Sequence, residues 1–169
     1  PESTTQVSGK RSTTTNEVRP TGMADYQALH EFNTWDCSKL QVKSRHLNTY
    51  MGRQGSWTGP LCFSPRSKQT AAFSATDSYV RGVSVCLKNS QVKGVRLFGT
   101  QLNRTSGKLT NISGRKEAFR ESCSSWQTAQ YCPAGKVATA VVVHRFRTTY
   151  GATGGAQGFA LKCRTVSKQ

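Results

Sequence analysis

Three histidines, eight carboxylates and six cysteines are the side chains through which this 169-residue chain could do chemistry. Two histidines and a lysine would make the acid–base set of a ribonuclease, because imidazole titrates near neutral pH. His144 is the most suggestive, closing the apolar run 137–143, but His30 and His46 share no spacing motif with it. A glycosidase pair of carboxylates would have to come from Asp36, Asp77, Glu117 and Glu121, and the last two stand among Arg115, Lys116 and Arg120, where local ion pairing accounts for them. Neither G-x-S-x-G nor H-E-x-x-H occurs, and "TSGKLT" lacks the first glycine of a phosphate loop. The glycine-rich "GATGGAQG" (151–158) does not follow the dinucleotide-binding order and reads as a hairpin loop. The residues therefore imply no catalytic set, cofactor or metal. A basic secreted toxin or nuclease using His144 is the enzyme alternative.

Cys37, Cys62, Cys86, Cys123, Cys132 and Cys163 are even in number and contain no C-x-x-C pair. Zinc sites favour such short pairs, so disulfides in an oxidising compartment are expected. Two glycosylation triplets, Asn103-Arg104-Thr105 and Asn111-Ile112-Ser113, agree with secretion. The chain opens at Pro1 without a leader, as a mature secreted protein or an excised fragment would. No apolar stretch approaches the length of a membrane span. The expected location is extracellular.

Charge narrows the partner. Lysine and arginine total 24 against 8 acids, a net of +16. Residues 1–35 hold three cations and four acids, so residues 36–169 hold 24 − 3 = 21 cations against 8 − 4 = 4 acids, a net of +17. Such self-repulsion favours a polyanionic partner. The cations cluster in "KLQVKSRH" (39–46), "SPRSK" (64–68), "GRKEAFR" (114–120) and "HRFR" (144–147). Lys43, Arg45, Arg66, Lys68, Arg115, Lys116, Arg120, Arg145 and Arg147 are the candidate ligand contacts. On one strand face, Arg145 and Arg147 would stand about 7 Å apart, and arginine forks suit sulfate, carboxylate and phosphate. Trp57 and Trp126 are core anchors or platforms for sugar rings.

The elements that must position these residues are short. Residues 1–22 are Ser/Thr-rich without apolar periodicity and read as an extended arm, with a single domain over 23–169. Met23, Tyr26, Leu29 and Phe32 fall at helical spacing and allow at most one short helix, over 23–35, with an irregular turn or a strand as the alternatives. From Cys37 onward, β-branched runs between Gly, Ser, Pro and Asn clusters predict an all-β domain. The strands are Leu40–Lys43, Thr70–Ala75, Gly82–Lys88, Gly94–Thr100, Val137–Phe146 and Gly158–Thr165, with "SWTGPL" and "SGRKE" as turns. In Val137–Phe146 apolar groups on both faces predict a central strand, with Ala138, Ala140, Val142, His144 and Phe146 sharing one face.

The second half echoes the first. "SWTGPLC" (56–62) matches "SWQTAQYC" (125–132); "VRGVSVCLK" (80–88) matches "VATAVVVHR" (137–145); "KGVRLFGTQL" (93–102) matches "QGFALKCRTV" (157–166). Two pseudo-repeats sharing a core predict a compact disulfide-stapled β-prism or sandwich-like domain. They suggest the pairs Cys132–Cys163, Cys62–Cys86 and Cys37–Cys123, one of 15 full pairings six cysteines allow.

The order Trp, Cys-Pro-x-Gly, valine strand and "GFALKC", over residues 56–166, resembles secreted modules of the vitelline-membrane outer-layer type and, more loosely, dermatopontin. That resemblance implies a three-sheet β-prism and extracellular glycan or matrix binding, with no catalytic residue. Together these readings give a secreted, non-enzymatic protein engaging an anionic polysaccharide or sulfated glycan through a basic face. Nucleic acid is a second class of polyanion, and a structural coat or matrix subunit, oligomeric or not, is a further alternative.

Overall fold

The computed structural model describes residues 2–20, 27–35, 39–47, 53–57, 69–118, 123–146 and 155–166. Among them every regular element is a β-strand. In chain order these are β1 (Ser3–Thr4), β2 (Ser8–Gly9), β3 (Thr14–Val18), β4 (Gln27–Trp35), β5 (Lys39–His46), β6 (Arg53–Trp57) and β7 (Gln69–Ala72). There follow β8 (Ser78–Lys88), β9 (Gln91–Leu102), β10 (Leu109–Ala118), β11 (Ser125–Trp126), β12 (Gln130–Tyr131), β13 (Lys136–Arg145) and β14 (Ala156–Thr165).

They form three antiparallel sheets, each built on a hairpin. Sheet B has the order β6-β5-β4-β7, and sheet C the order β10-β9-β8-β11, with β12 also on β8. Sheet A has β1 and β2 on β14, then β13, then β3. In each, the third strand adds beside the second and the fourth returns beside the first, a Greek key. In sheets B and C those strands follow the hairpin in sequence. In sheet A they come from the N-terminal segment, which completes a sheet begun by the β13–β14 hairpin.

The register carries a threefold pattern. A bulge falls at the fourth residue of each first hairpin strand: His30 in β4, Arg81 in β8 and Thr139 in β13. The equivalent residues around it fall into matching sets. Leu29, Val80 and Ala138 form one; Phe32, Val83 and Val141 another; Val42, Leu97 and Leu161, and then Leu40, Val95 and Phe159, come from the second strands, and all are buried in one core. Ala28, Tyr79 and Val137, with Leu47 and Leu102, close one end. Each large side chain so buried stabilises the fold by roughly 1.5–3 kcal/mol.

The bulge explains two corrections. Of the readings open for 23–35, the strand is the one found over its described part, β4, and not the short helix. The strand is central, paired with β5 and β7. One extra residue at His30 puts Leu29 and Phe32 on the same core face, and a spacing of three imitates a helix. The bulge at Thr139 likewise sets Ala138 with Val141 and Val143 in the core, separating it from Ala140. "SGRKE" is not a turn but continues β10, where Gly114 (φ +90°) supports a bulge opposite Gly99. The predicted strands at 40–43, 70–75, 82–88, 94–100, 137–146 and 158–165 are found, with shifted ends. The β8–β9 turn is two residues, Asn89 and Ser90, both at positive φ, the geometry of a tight type I′ hairpin.

Two disulfides are described. Cys132–Cys163 joins the start of the β13 unit to β14 (Cα–Cα 5.7 Å). Cys86 bonds Cys123 (Cα–Cα 6.2 Å), which replaces the expected Cys62–Cys86 and Cys37–Cys123 pairs. The reason is the register: β11 pairs with β8 with Trp126 opposite Cys86, which brings Cys123, just before β11, alongside. Cys37 and Cys62 lie outside the described residues.

Glu2 fastens the N-terminal segment. Its carboxylate accepts a bidentate pair from Arg19 (2.8 and 3.0 Å), a bond from Thr139 Oγ1 (2.7 Å) and one from Arg164 Nε (3.3 Å). Partial burial opposes its charge, but the hydrogen bonds from Arg19 and Thr139 and the charges of Arg19 and Arg164 outweigh it, holding the carboxyl at about 2. A carboxyl lowered on folding adds stability above its unfolded pKa and loses it as pH falls through the folded value. Glu2→Gln is thus expected to cost about 1–3 kcal/mol at pH 7 in urea unfolding. The gap should narrow between pH 4.5 and about 2. A gap that is the same at pH 7 and pH 2 would refute the role of the charge.

Candidate functional site at the seam of sheets C and A

β12 lays Tyr131 opposite Gly82 of β8. A Cβ on Gly82 would meet Tyr131 Cδ1 at 2.5 Å, so glycine is what lets the ring lie against the sheet. Phe98 packs beside it, centroids 5.3 Å apart. The Arg81 guanidinium lies over it, 4.7 Å from the ring centre, with Nε donating to Gly99 O at 3.0 Å. That carbonyl faces the β10 bulge, where the ladder skips Gly99. Tyr131 remains 45% exposed, the large hydrophobic side chain left open to solvent among the described residues.

Beside Tyr131 the chain turns through 132–135 into β13. Cys132 N donates to Arg81 O (2.7 Å), and the disulfide to Cys163 ties the turn to sheet A. Between this turn and the β9–β10 hairpin lies an open cleft of about 570 Å³. Arg81, Thr100, Thr110, Asn111 and Lys136 supply its polar lining, and the two ionisable groups among its lining residues are both cations. Lys136 Nζ donates to Ser3 Oγ at 3.1 Å, with further protons to offer. Thr100 Oγ1 donates to Thr110 O.

A second ring stands on the same face, about 13 Å along β8 from Tyr131. Trp126 lies against Gly94, whose Cβ would come 3.1 Å from the indole, and under the Arg96 guanidinium at 3.8 Å. Arg96 pairs with Glu117, which also holds Arg115 at 3.1 Å. Each ring thus touches a glycine of the sheet and lies under an arginine guanidinium, a cation–π arrangement.

The predicted contact residues fall on different sheets. Arg45, expected at the surface, is 2% exposed, and its guanidinium donates to the carbonyls of Phe73, Ala75 and Ser78. Burial with that many acceptors makes it a structural strut of sheet B. Lys43 pairs with Glu31 at 3.2 Å. Arg115 and Lys116 are exposed on β10. Arg145 is half-buried, its Nε donating to Asn16 Oδ1. Arg66, Lys68, Arg120 and Arg147 lie outside the described residues, as do most of "SWTGPL" and the first half, 151–154, of the glycine-rich loop; Trp57 ends β6. His144 is 8% exposed, with Nδ1 3.0 Å from the backbone of Ser12. Burial lowers its pKa, against the pull of that hydrogen bond. His30 is buried in sheet B, held at about 4 by burial and then by the charge of Arg45. His30 and His46 stand on neighbouring strands of sheet B, β4 and β5, and His144 on β13 of sheet A.

Sequence reasoning does not single out Tyr131, Arg81 or Lys136. Tyr131 directly before Cys-Pro is a usable signal, because a disulfide-pinned turn holds its neighbour in place. Arg81 gives none, since the bulge that redirects it is invisible to a period of two.

Three sheets around one core make this chain a β-prism. No family model matches it, and no curated protein does. Among solved structures it is similar to Calsepa lectin in complex with a bisected glycan, at TM-score 0.52 and 11% identity, over 97% of this chain and 98% of that one. Malaysian banana lectin (0.48; 9%; 97% and 98%) and a single-chain recombinant jacalin (0.49; 10%; 96% and 94%) also superpose. At 11% identity the likeness to the Calsepa lectin establishes the fold.

Gly82→Val forces the ring and the strand apart, and is expected to cost about 1–3 kcal/mol in urea unfolding. An unchanged midpoint would mean that Tyr131 does not rest where the contact places it.

Proposed function

We propose that this protein is a non-enzymatic glycan-binding protein of the cell exterior, and that it binds acidic saccharides at the seam of sheets C and A. The observation that carries the reading is the cleft, with Arg81 and Lys136 and no carboxylate among its lining residues, beside an exposed tyrosine. An aromatic ring and a few convergent polar groups suit a sugar. Arginine and lysine add preference for carboxylate or sulfate. The fold shared with a lectin solved in complex with a glycan supports the carbohydrate class. The two disulfides and the net charge of +16 suit an oxidising, polyanion-rich exterior.

Calorimetric titration with a heparin-derived hexasaccharide, its desulfated counterpart and an oligonucleotide tests this at two salt concentrations. The sulfated sugar is expected to bind best. Raising salt from about 0.1 to 1 M shortens the screening length from roughly 10 to 3 Å and should weaken binding. Arg81→Met and Lys136→Met should each weaken it several-fold, and Tyr131→Ala should do so with little loss of stability. Tightest binding to the desulfated sugar, insensitive to salt, would make the protein a neutral-glycan lectin. Preference for the oligonucleotide would favour nucleic acid, for which the arginine-stacked rings are also suited.

A further inference from the structure

The threefold register allows the cleft to be compared with its counterparts. In sheet C the bulged residue is Arg81, and the residue after its flanking partner Gly99 is Thr100. In sheet A the same two places hold Thr139 and Arg164, and in sheet B His30 and Arg45. One place of the pair is an arginine in every sheet. Sheets A and C hold the same two residue types, exchanged.

The third strand supplies the next neighbour. In sheet C, Asn111 of β10 stands opposite Thr100. In sheet A, Ser3 of β1 stands opposite Cys163, so Glu2 falls beside Arg164. There the Glu2 carboxylate satisfies both members of the pair, accepting from Thr139 Oγ1 at 2.7 Å and Arg164 Nε at 3.3 Å. In sheet B, Arg45 donates to three carbonyls of the 73–78 segment. Sheet C has the arginine and the hydroxyl but a neutral amide where sheet A has its acid. Arg81, Thr100 and Asn111 line the cleft together, with Lys136 as the second cation.

We propose that the cleft seats one acid group of the ligand, a carboxylate or a sulfate, in the place that Glu2 fills in sheet A. The anionic-glycan reading supplies the rest of the ligand, but the seat is defined by this chain's own repeat. Thr100 is committed to Thr110 O, so Arg81 and Lys136 are the donors that hold the acid.

Asn111→Glu tests the seat by filling it from within, in bacterially made protein whose Asn111 carries no sugar. Carbon-detected NMR titration should place the introduced carboxyl clearly below the ordinary value of roughly 4.3. Adding Arg81→Met should return it toward that value. The heparin-derived hexasaccharide should bind Asn111→Glu at least tenfold more weakly than wild type, about 1.4 kcal/mol, and Asn111→Gln, of the same length without the charge, should keep more of the affinity. An introduced carboxyl that titrates like a free glutamate overturns the seat even if binding is lost. A lowered pKa at that carboxyl, with no hexasaccharide binding to wild type, keeps the seat and rejects the glycan reading. A hexuronate chain without sulfate, run beside a sulfated chain without carboxylate, separates the two acids.

Discussion

The structure depends on a β-hairpin that cannot cover its own edges. β13 and β14 carry the most apolar stretch of the chain, and as a pair they would expose two open edges beside a buried face. The N-terminal segment closes both. β1 and β2 pair along β14 and β3 pairs along β13, so strands from opposite halves of the chain meet in one sheet. Glu2 locks the arrangement by bonding residues of β13 and β14 together with Arg19, just past β3. With sheet A complete, its Phe159 reaches Phe32 of sheet B across the core, at 6.4 Å. A segment that reads as a polar arm is therefore part of the framework.

The same closure shapes the site. The disulfide from Cys132 to Cys163 anchors the 132–135 turn on sheet A, and the turn in turn fixes Tyr131 on sheet C and Lys136 at the cleft. Arg81 belongs to sheet C, but the bulge turns it toward the seam. The cleft is thus a consequence of two sheets being joined by a covalent link and a short turn. Its electrostatic character comes from Arg81 and Lys136, with Asn111 standing where sheet A has an acid.

Much of this is legible in the sequence, and the failures share a cause. Strand-forming runs such as "VRGVSVCLK" and "VATAVVVHR" are readable because valine on both faces suits a covered central strand and little else, and their equivalence marks two of the three hairpins. The β-prism implied by the sequence resemblance is the architecture found. The third hairpin is hidden because "QALHEF" carries its core residues on either side of a bulge, where a strand spaces them like a helix. The tryptophan half of the repeat does not align in the fold: Trp57 ends a third strand, β6, and Trp126 sits on a fourth, β11. Counting cations locates the charge but not its disposition. Arg45 and Arg81 are alike as letters, and only the register makes one a buried strut and the other a lining residue of a cleft.

The central claim is one of place, and a backbone-amide NMR titration of the labelled protein with a heparin-derived hexasaccharide addresses it directly. The account predicts saturable shifts centred on Arg81, Thr110, Asn111, Tyr131 and Lys136, with sheet B quiet. Saturable shifts centred on any other part of the chain, or none at all, would contradict it.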